Sequence, residues 1–129
     1  GTLDVLNALA IAAFKYNYVR PELNNQGESK MTDGRHPVVE RLLEKEIFVP
    51  NNVNLNNIDE RMIVITGPNM AGKSTYMPQT APICLMAQIG SFVPARAARI
   101  GVIDKLFTRV RAADDLATGQ STFILGYLT

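Results

Sequence analysis

The chain has 129 residues, 47% of them hydrophobic and 19% charged, and a net charge of +1. That length suits one compact domain with one core and leaves little room for a second. The near-neutral balance argues against a wholesale nucleic-acid or membrane-surface binder, since both usually carry an excess of Lys and Arg.

The elements follow in chain order. Apolar side chains at Leu3, Leu6, Leu9, Ala10, Ala13 and Phe14 predict a helix over Leu3 to Tyr18 that Pro21 stops. Arg20 to Met31 is polar, with Pro21, two Asn and Gly27, and reads as a connector. Asp33-Gly34 is a turn signal, and His36-Pro37 follows, with the lone histidine read as a structural turn residue. Val38 to Lys45 predicts a short helix, and Glu46 to Val49 a short strand. Asn51 to Asp59 holds five Asn and reads as loop, with a brief strand around Val53 and Leu55. Met62-Ile63-Val64-Ile65-Thr66 is the best strand candidate, a β-branched run of the kind found where a sheet is covered on both faces. Lys73 to Ile89 predicts a long helix closed by Gly90. Val102 to Val110 alternates as a strand would, Ala112 to Gln120 reads as polar loop, and Phe123 to Leu128 is apolar. Cys84, the single cysteine, cannot form an intramolecular disulfide and is expected to be a buried apolar residue. No stretch reaches the ~20 apolar residues of a membrane span. The first residues lack the order of a signal peptide, so a cytoplasmic setting is expected.

Gly67-Pro68-Asn69-Met70-Ala71-Gly72-Lys73-Ser74 fits G-x-x-x-x-G-K-[ST], the P-loop pattern, placed between a strand candidate and a helix candidate. The spacing has a physical basis. Gly67 and Gly72 admit backbone conformations closed to residues with a Cβ, so the turn can approach phosphates closely. Its N–H groups and the positive end of the following helix then form an anion nest. Lys73 can set its ammonium against the β- and γ-phosphates, and the Ser74 hydroxyl can ligate Mg²⁺. ATP with magnesium is therefore the expected ligand. Hydrolysis also needs an acidic magnesium-binding residue at a strand end and a group that positions water. The acids after Lys73 are Asp104, Asp114 and Asp115; the first sits early in its strand candidate and the others lie in a loop. No catalytic residue is assigned on this basis.

Several stretches resemble the MutS family of DNA mismatch-repair ATPases. They are Asp33-Gly34-Arg35-His36-Pro37-Val38-Val39-Glu40; Ile65 to Met77 around the P-loop; Met86-Ala87-Gln88-Ile89-Gly90-Ser91-Phe92-Val93-Pro94-Ala95; Phe107-Thr108-Arg109-Val110; and Ala112 to Phe123. The resemblance covers Leu3 to about Phe123. It implies an α/β fold of the ABC-ATPase-like P-loop class, a partial domain preceded by the end of a long helix. Residues 1–20 would be the end of a connecting or lever helix, and 21–129 the N-terminal part of the ATPase domain. It further implies that Gly67, Pro68, Asn69, Met70, Ala71, Gly72, Lys73, Ser74 and Thr75 hold the phosphates, that Ser74 binds Mg²⁺, and that Phe48 stacks on adenine. Ser121 would reach the nucleotide of a second ATPase domain in a dimer, and mismatched DNA would be bound by other domains of the parent protein. Without the resemblance, Phe48 reads equally as a core aromatic and Ser121 as an ordinary loop or cap serine.

The sequence also departs from the family pattern. Pro78 and Pro82 stand where the family has Arg and Leu. Proline past the first helical turn removes a hydrogen bond and clashes with the preceding turn, costing about 3 kcal/mol. A kinked or shortened helix, or a compromised fold, is expected. Arg96 and Ala97 replace acidic or polar residues, and the tail from Ile124 drifts from a pattern with Glu near Gly126. The family's acidic strand would fall beyond Thr129, so binding is expected without full catalysis. The alternative is a scaffold or interaction module with little or no nucleotide binding. A P-loop kinase or transporter ATPase is disfavoured because neither needs the flanking stretches.

Overall fold

The computed structural model describes residues 1–42, 48–65 and 73–107, with the backbone alone for 73–78. The described residues form a small α/β fold with a mixed four-stranded sheet of order β1-β4-β2-β3. Its strands are β1 (Glu22–Asn24), β2 (Ser29–Gly34), β3 (Asn51–Leu55) and β4 (Ala97–Gly101). β1 runs parallel to β4, while β2 is antiparallel to both β3 and β4. Helices α1 (Thr2–Lys15), α2 (Val39–Leu42) and α3 (Lys73–Gln88) complete the framework.

α1 is built from Ala and Leu, good helix formers, with Asp4 in its first turn and Lys15 in its last, each favourable to the helix dipole. It ends before Pro21. Asn17 takes the left-handed conformation at φ 54°, and the Tyr18 N–H returns to the Ala13 carbonyl at 2.9 Å. Asparagine tolerates that conformation better than most residues with a Cβ. None of the helix is buried, and Leu3 and Phe14 are 82% and 90% exposed. The helix is tied down at its end, by the Val19–Val93 bridge and by Arg35 on the last carbonyls.

The polar segment expected as a connector contains β1 and the start of β2. β1 lies at the sheet edge just after Pro21, where a short strand needs only backbone pairing and few apolar side chains. The two Asn and Gly27 do make the turn between the strands. Asn24 Oδ1 accepts from the Gln26 N–H and its amide donates to the Glu28 carbonyl, while Gly27 sits at φ 68°. Asp33-Gly34 marks a bulge at the end of β2 rather than a turn. The register shifts between Met31 and Gly34, and Asp33 adopts φ 50°. The Asp33 N–H donates to Asn52 Oδ1 at 2.8 Å, and its carboxylate meets Arg96 Nε at 2.8 Å.

The expected short helix is α2, read from 39 to 42 within the described residues. His36 is the turn residue expected: its Nδ1 accepts from the N–H groups of Val38 and Val39 at 3.2 and 3.3 Å. Of the strand expected over 46–49, Phe48 and Val49 are not strand, and the rest lies outside the described residues. β3 does form in the Asn-rich stretch with Val53 buried, and Asn56 closes the turn beyond it by accepting from Ile58, Asp59 and Glu60.

Two strand expectations are corrected. Residues 62–65 form no strand, and Met62, Ile63 and Val64 are 54%, 42% and 62% exposed. A β-branched run becomes a covered strand only when neighbours pair with its backbone. No described strand does so, and Thr66 lies outside the described residues. Of the strand expected over 102–110, residues 102–107 are not strand and 108–110 lie outside the described residues; the strand that does form, β4, ends at Gly101. Beyond it Gln88 substitutes for a neighbouring strand: its amide donates to the Ile103 carbonyl at 3.1 Å, and its Oε1 accepts from the Ile103 N–H at 2.7 Å.

α3 meets the expected bounds to within a residue and closes on Gly90 at φ 85°. The Ser91 N–H bonds to the Met86 carbonyl and the Gly90 N–H to that of Ala87, the paired pattern of a glycine-terminated helix. The helix is not shortened at Pro78 or Pro82; it runs unbroken from Lys73 to Gln88. The stripe that anchors it is Gln79, Ile83, Cys84 and Ala87, all buried and at helical spacing. This stripe meets Met31, Val53, Val93, Ala95, Ala98 and Ile100 from the sheet and its flanks, and the core lies between helix and sheet.

Candidate functional site

The glycine-rich motif leads into α3. Residues 67–72 lie outside the described residues; Lys73, Ser74 and Thr75 form the first turn of the helix. A first turn leaves its backbone N–H groups without intrahelical partners. Both prolines come after this turn, at Pro78 and Pro82, so Lys73 through Tyr76 all keep their N–H groups. Backbone N–H groups at a helix start can bind an anion.

Phe48 is half-buried and lines an open depression of about 520 Å³ with Tyr16, Asn17, Arg35, Glu40 and Arg41. Local sequence builds each wall. The left-handed Asn17 ends α1 and turns the chain, and the His36 cap starts α2, which carries Glu40 and Arg41. Arg35 binds the three segments together. Its Nη2 donates to the carbonyls of Tyr16 and Asn17, both at 3.2 Å, and its Nε lies 3.1 Å from Glu40 Oε2. Arg41 stacks its guanidinium 4.4 Å from the Tyr16 ring centroid, with Lys15 Nζ at 5.4 Å. Burial, with the Glu40 carboxylate second, pushes the Tyr18 phenol above its ordinary value. A half-exposed phenylalanine beside stacked Tyr and Arg can receive a flat aromatic ring such as a nucleobase.

None of the residues lining this depression belongs to α3, so the structure does not place Phe48 and Lys73 in one pocket. Ser121 lies outside the described residues, as do Asp114 and Asp115. Asp104 follows the end of β4 instead of sitting early in a strand. The Gln88–Ile103 hydrogen bonds hold its neighbour at the far end of α3. That end is about 22 Å along the axis from Lys73 at 1.5 Å per residue. Asp104 is therefore no partner for a metal at Ser74. Among the described residues no three His, Cys, Asp or Glu side chains are placed to share a metal ion. Tyr16, Asn17 and Arg41 carry no sequence signal that links them to Phe48, and Arg35 and Glu40 fall in the Asp33–Glu40 stretch that resembles the family without a site role in it.

Comparison with known proteins gives this arrangement its class. The chain belongs to the MutS family: the model of MutS domain V matches residues 63–128. More particularly, it is similar along nearly its whole length to proteins each named DNA mismatch repair protein MutS. It is 57% identical over 123 residues to that of Syntrophomonas wolfei, which covers 95% of this chain and 14% of the relative. Identity is also 57% over 123 residues with that of Clostridium botulinum, covering 95% of this chain and 13% of the relative. With that of Thermodesulfovibrio yellowstonii it is 55% over 130 residues, covering 97% and 15%. The chain thus spans about 14% of the length of the curated relatives it matches. No helix among the described residues is long and apolar enough to cross a membrane.

Proposed function

We propose that this chain is the ATP-binding portion of a MutS-type DNA mismatch-repair ATPase. The observation that carries the reading is the opening of α3 on Lys73-Ser74, directly after Gly67 to Gly72 of the P-loop pattern. Residues 67–75 hold the phosphates, Ser74 ligates magnesium, and Phe48 receives the adenine. Ser121 serves the nucleotide of a second ATPase domain. Bound ATP supplies a phosphoanhydride whose cleavage can drive a conformational cycle, and in the parent protein that cycle controls the grip on mismatched DNA held by other domains. Residues 1–20, with no residue of α1 fully buried, form the end of the connecting helix, and 21–129 belong to the ATPase domain.

This chain's own residues bind and orient rather than complete the reaction. Asp104 is remote from Lys73, and Asp114-Asp115 follows no apolar strand in the sequence. Binding without multiple turnover is the expected behaviour. Calorimetric titration with ATP and ADP, with and without Mg²⁺, tests the reading against Lys73→Ala. Saturable binding abolished by the substitution supports it. A folded chain that binds neither nucleotide refutes it, and sustained hydrolysis by the pure chain refutes the claim of incomplete catalysis.

A further inference from the structure

Gln79 is a polar side chain in an apolar core. It is fully buried on the inward face of α3, one turn before Ile83. Its Oε1 lies 3.5 Å from Asn51 Nδ2, at the outer limit of a hydrogen bond, and its Nε2 has no hydrogen-bond partner among the described residues. An orphaned amide destabilises a core, and Met would fill the same space without that cost. Stability alone does not account for a glutamine at this point.

Its neighbours suggest what does. Asn51 Nδ2 also donates to the Val49 carbonyl at 3.0 Å, which fixes the turn carrying Phe48. On the other side Gln79 packs near Gly34: a Cβ there would stand 3.2 Å from the Asn51 carbonyl and 3.4 Å from both Gln79 Nε2 and Ile83 Cδ1. Gly34 leads directly into Arg35. Gln79 thus meets both segments that feed the depression, Gly34 into Arg35 and Phe48 into Asn51. It does so from α3, about 9 Å along the axis from Lys73.

We propose that Gln79 is a positioning residue that, through Asn51 and Gly34, sets the register between the phosphate-binding end of α3 and the base-binding wall around Phe48. The role rests on the nucleotide-binding reading above. A ligand spanning both elements binds more tightly than its halves only when their separation is held, because the second contact is then intramolecular. Without the latch, each half-site keeps its own affinity and the gain from joining them is lost.

The test is calorimetry of the 129-residue chain and its Gln79→Met, Asn51→Ala and Phe48→Ala variants, titrated with Mg·ATP and with Mg·tripolyphosphate. Thermal melts are run alongside. In Gln79→Met, ATP affinity is expected to fall about tenfold while tripolyphosphate affinity stays within about twofold. Its melting temperature should hold or rise, an outcome a merely structural role would not give. Asn51→Ala should reproduce the selective loss, and the double variant should add nothing to it, since both act through one contact path. Phe48→Ala marks the ceiling of the effect. The proposal is overturned if Gln79→Met keeps the parent's preference for ATP over tripolyphosphate, or loses both ligands in proportion. A parent chain that binds neither ligand fails the nucleotide-binding reading itself. A parent that binds ATP beside an unchanged Gln79→Met fails the latch alone.

Discussion

Ile83 should be the most sensitive apolar position on α3. It is fully buried, with Met31, Val53 and Ile100 in the same cluster, whereas Ile89 just beyond the helix is 62% exposed. Ile83→Ala removes three carbons from that core. At about 0.8 kcal/mol each the transfer loss is roughly 2.4 kcal/mol, and incomplete collapse of the cavity adds to it, for a total of about 3–4 kcal/mol. Ile89→Ala removes the same atoms from a surface site and should cost no more than about 0.5 kcal/mol. Urea unfolding followed by circular dichroism measures both. Equal effects, or a loss below about 1 kcal/mol at Ile83, would refute the packing of α3 on the sheet. The consequence for function is direct, because the same helix opens on Lys73.

Three other outcomes are expected. Burial holds the His36 imidazole below its ordinary value of 6.5, with a backbone hydrogen bond partly opposing the shift. The unfolded chain therefore takes the proton first: the stabilisation is complete above 6.5 and declines as pH falls from there toward the depressed folded value. Protonating Nδ1 also ends its acceptance from Val38 and Val39; urea midpoints at several pH values should show the decline in the parent and a flatter profile in His36→Asn, and equal slopes would refute the cap. Burial pushes the Cys84 thiol up to about 11, so a disulfide reagent at neutral pH should leave the folded chain largely unmodified and titrate one thiol per chain in urea; rapid labelling of the folded chain would refute the burial. Pro82→Leu returns an N–H donor to α3 and removes a ring clash, and should stabilise by about 3 kcal/mol. An unchanged urea midpoint would show that the helix had already absorbed the proline.

How much of this was legible depends on whether an element is specified within itself. α1 and α3 carry their own periodicity and stop signals, and the left-handed Gly90 closes α3 where its sequence says it should. His36 and Cys84 likewise follow from local chemistry. Strands are specified by their neighbours: β3 forms around Val53 and Leu55 as expected, but elsewhere the pattern misleads in both directions. β1 is polar yet paired, because Pro21 and the sheet edge ask little of its side chains. Residues 62–65 are apolar yet unpaired among the described residues. β4 was not expected, and in the alternating segment after it Ile103 bonds to Gln88 in place of a neighbouring strand. Arg96, a departure from the family pattern, has a local explanation in its ion pair with the left-handed Asp33. At the candidate site, the motif leading into α3 was legible and the wall around Phe48 was only partly so. Tyr16 and Asn17 reach it from an exposed helix whose sequence gives no sign of Arg35 on its last carbonyls.

The two prolines and the buried stripe together divide α3 into unlike halves. Pro78 leaves the Ser74 carbonyl without its helical donor, and Pro82 does the same to residue 78, so both lost bonds fall in the part of the helix nearer Lys73. The apolar contacts that hold the helix fall later, at Ile83, Cys84 and Ala87, with the Gly90 cap beyond them. The glutamine at 79 stands at the boundary between these halves. A helix weakened in its own hydrogen bonding near the motif depends on tertiary contacts to place its first turn. The first buried residue after the first proline is the one that meets Asn51 and Gly34. Here the burden of placing Lys73 and Ser74 shifts toward the contacts made by Gln79.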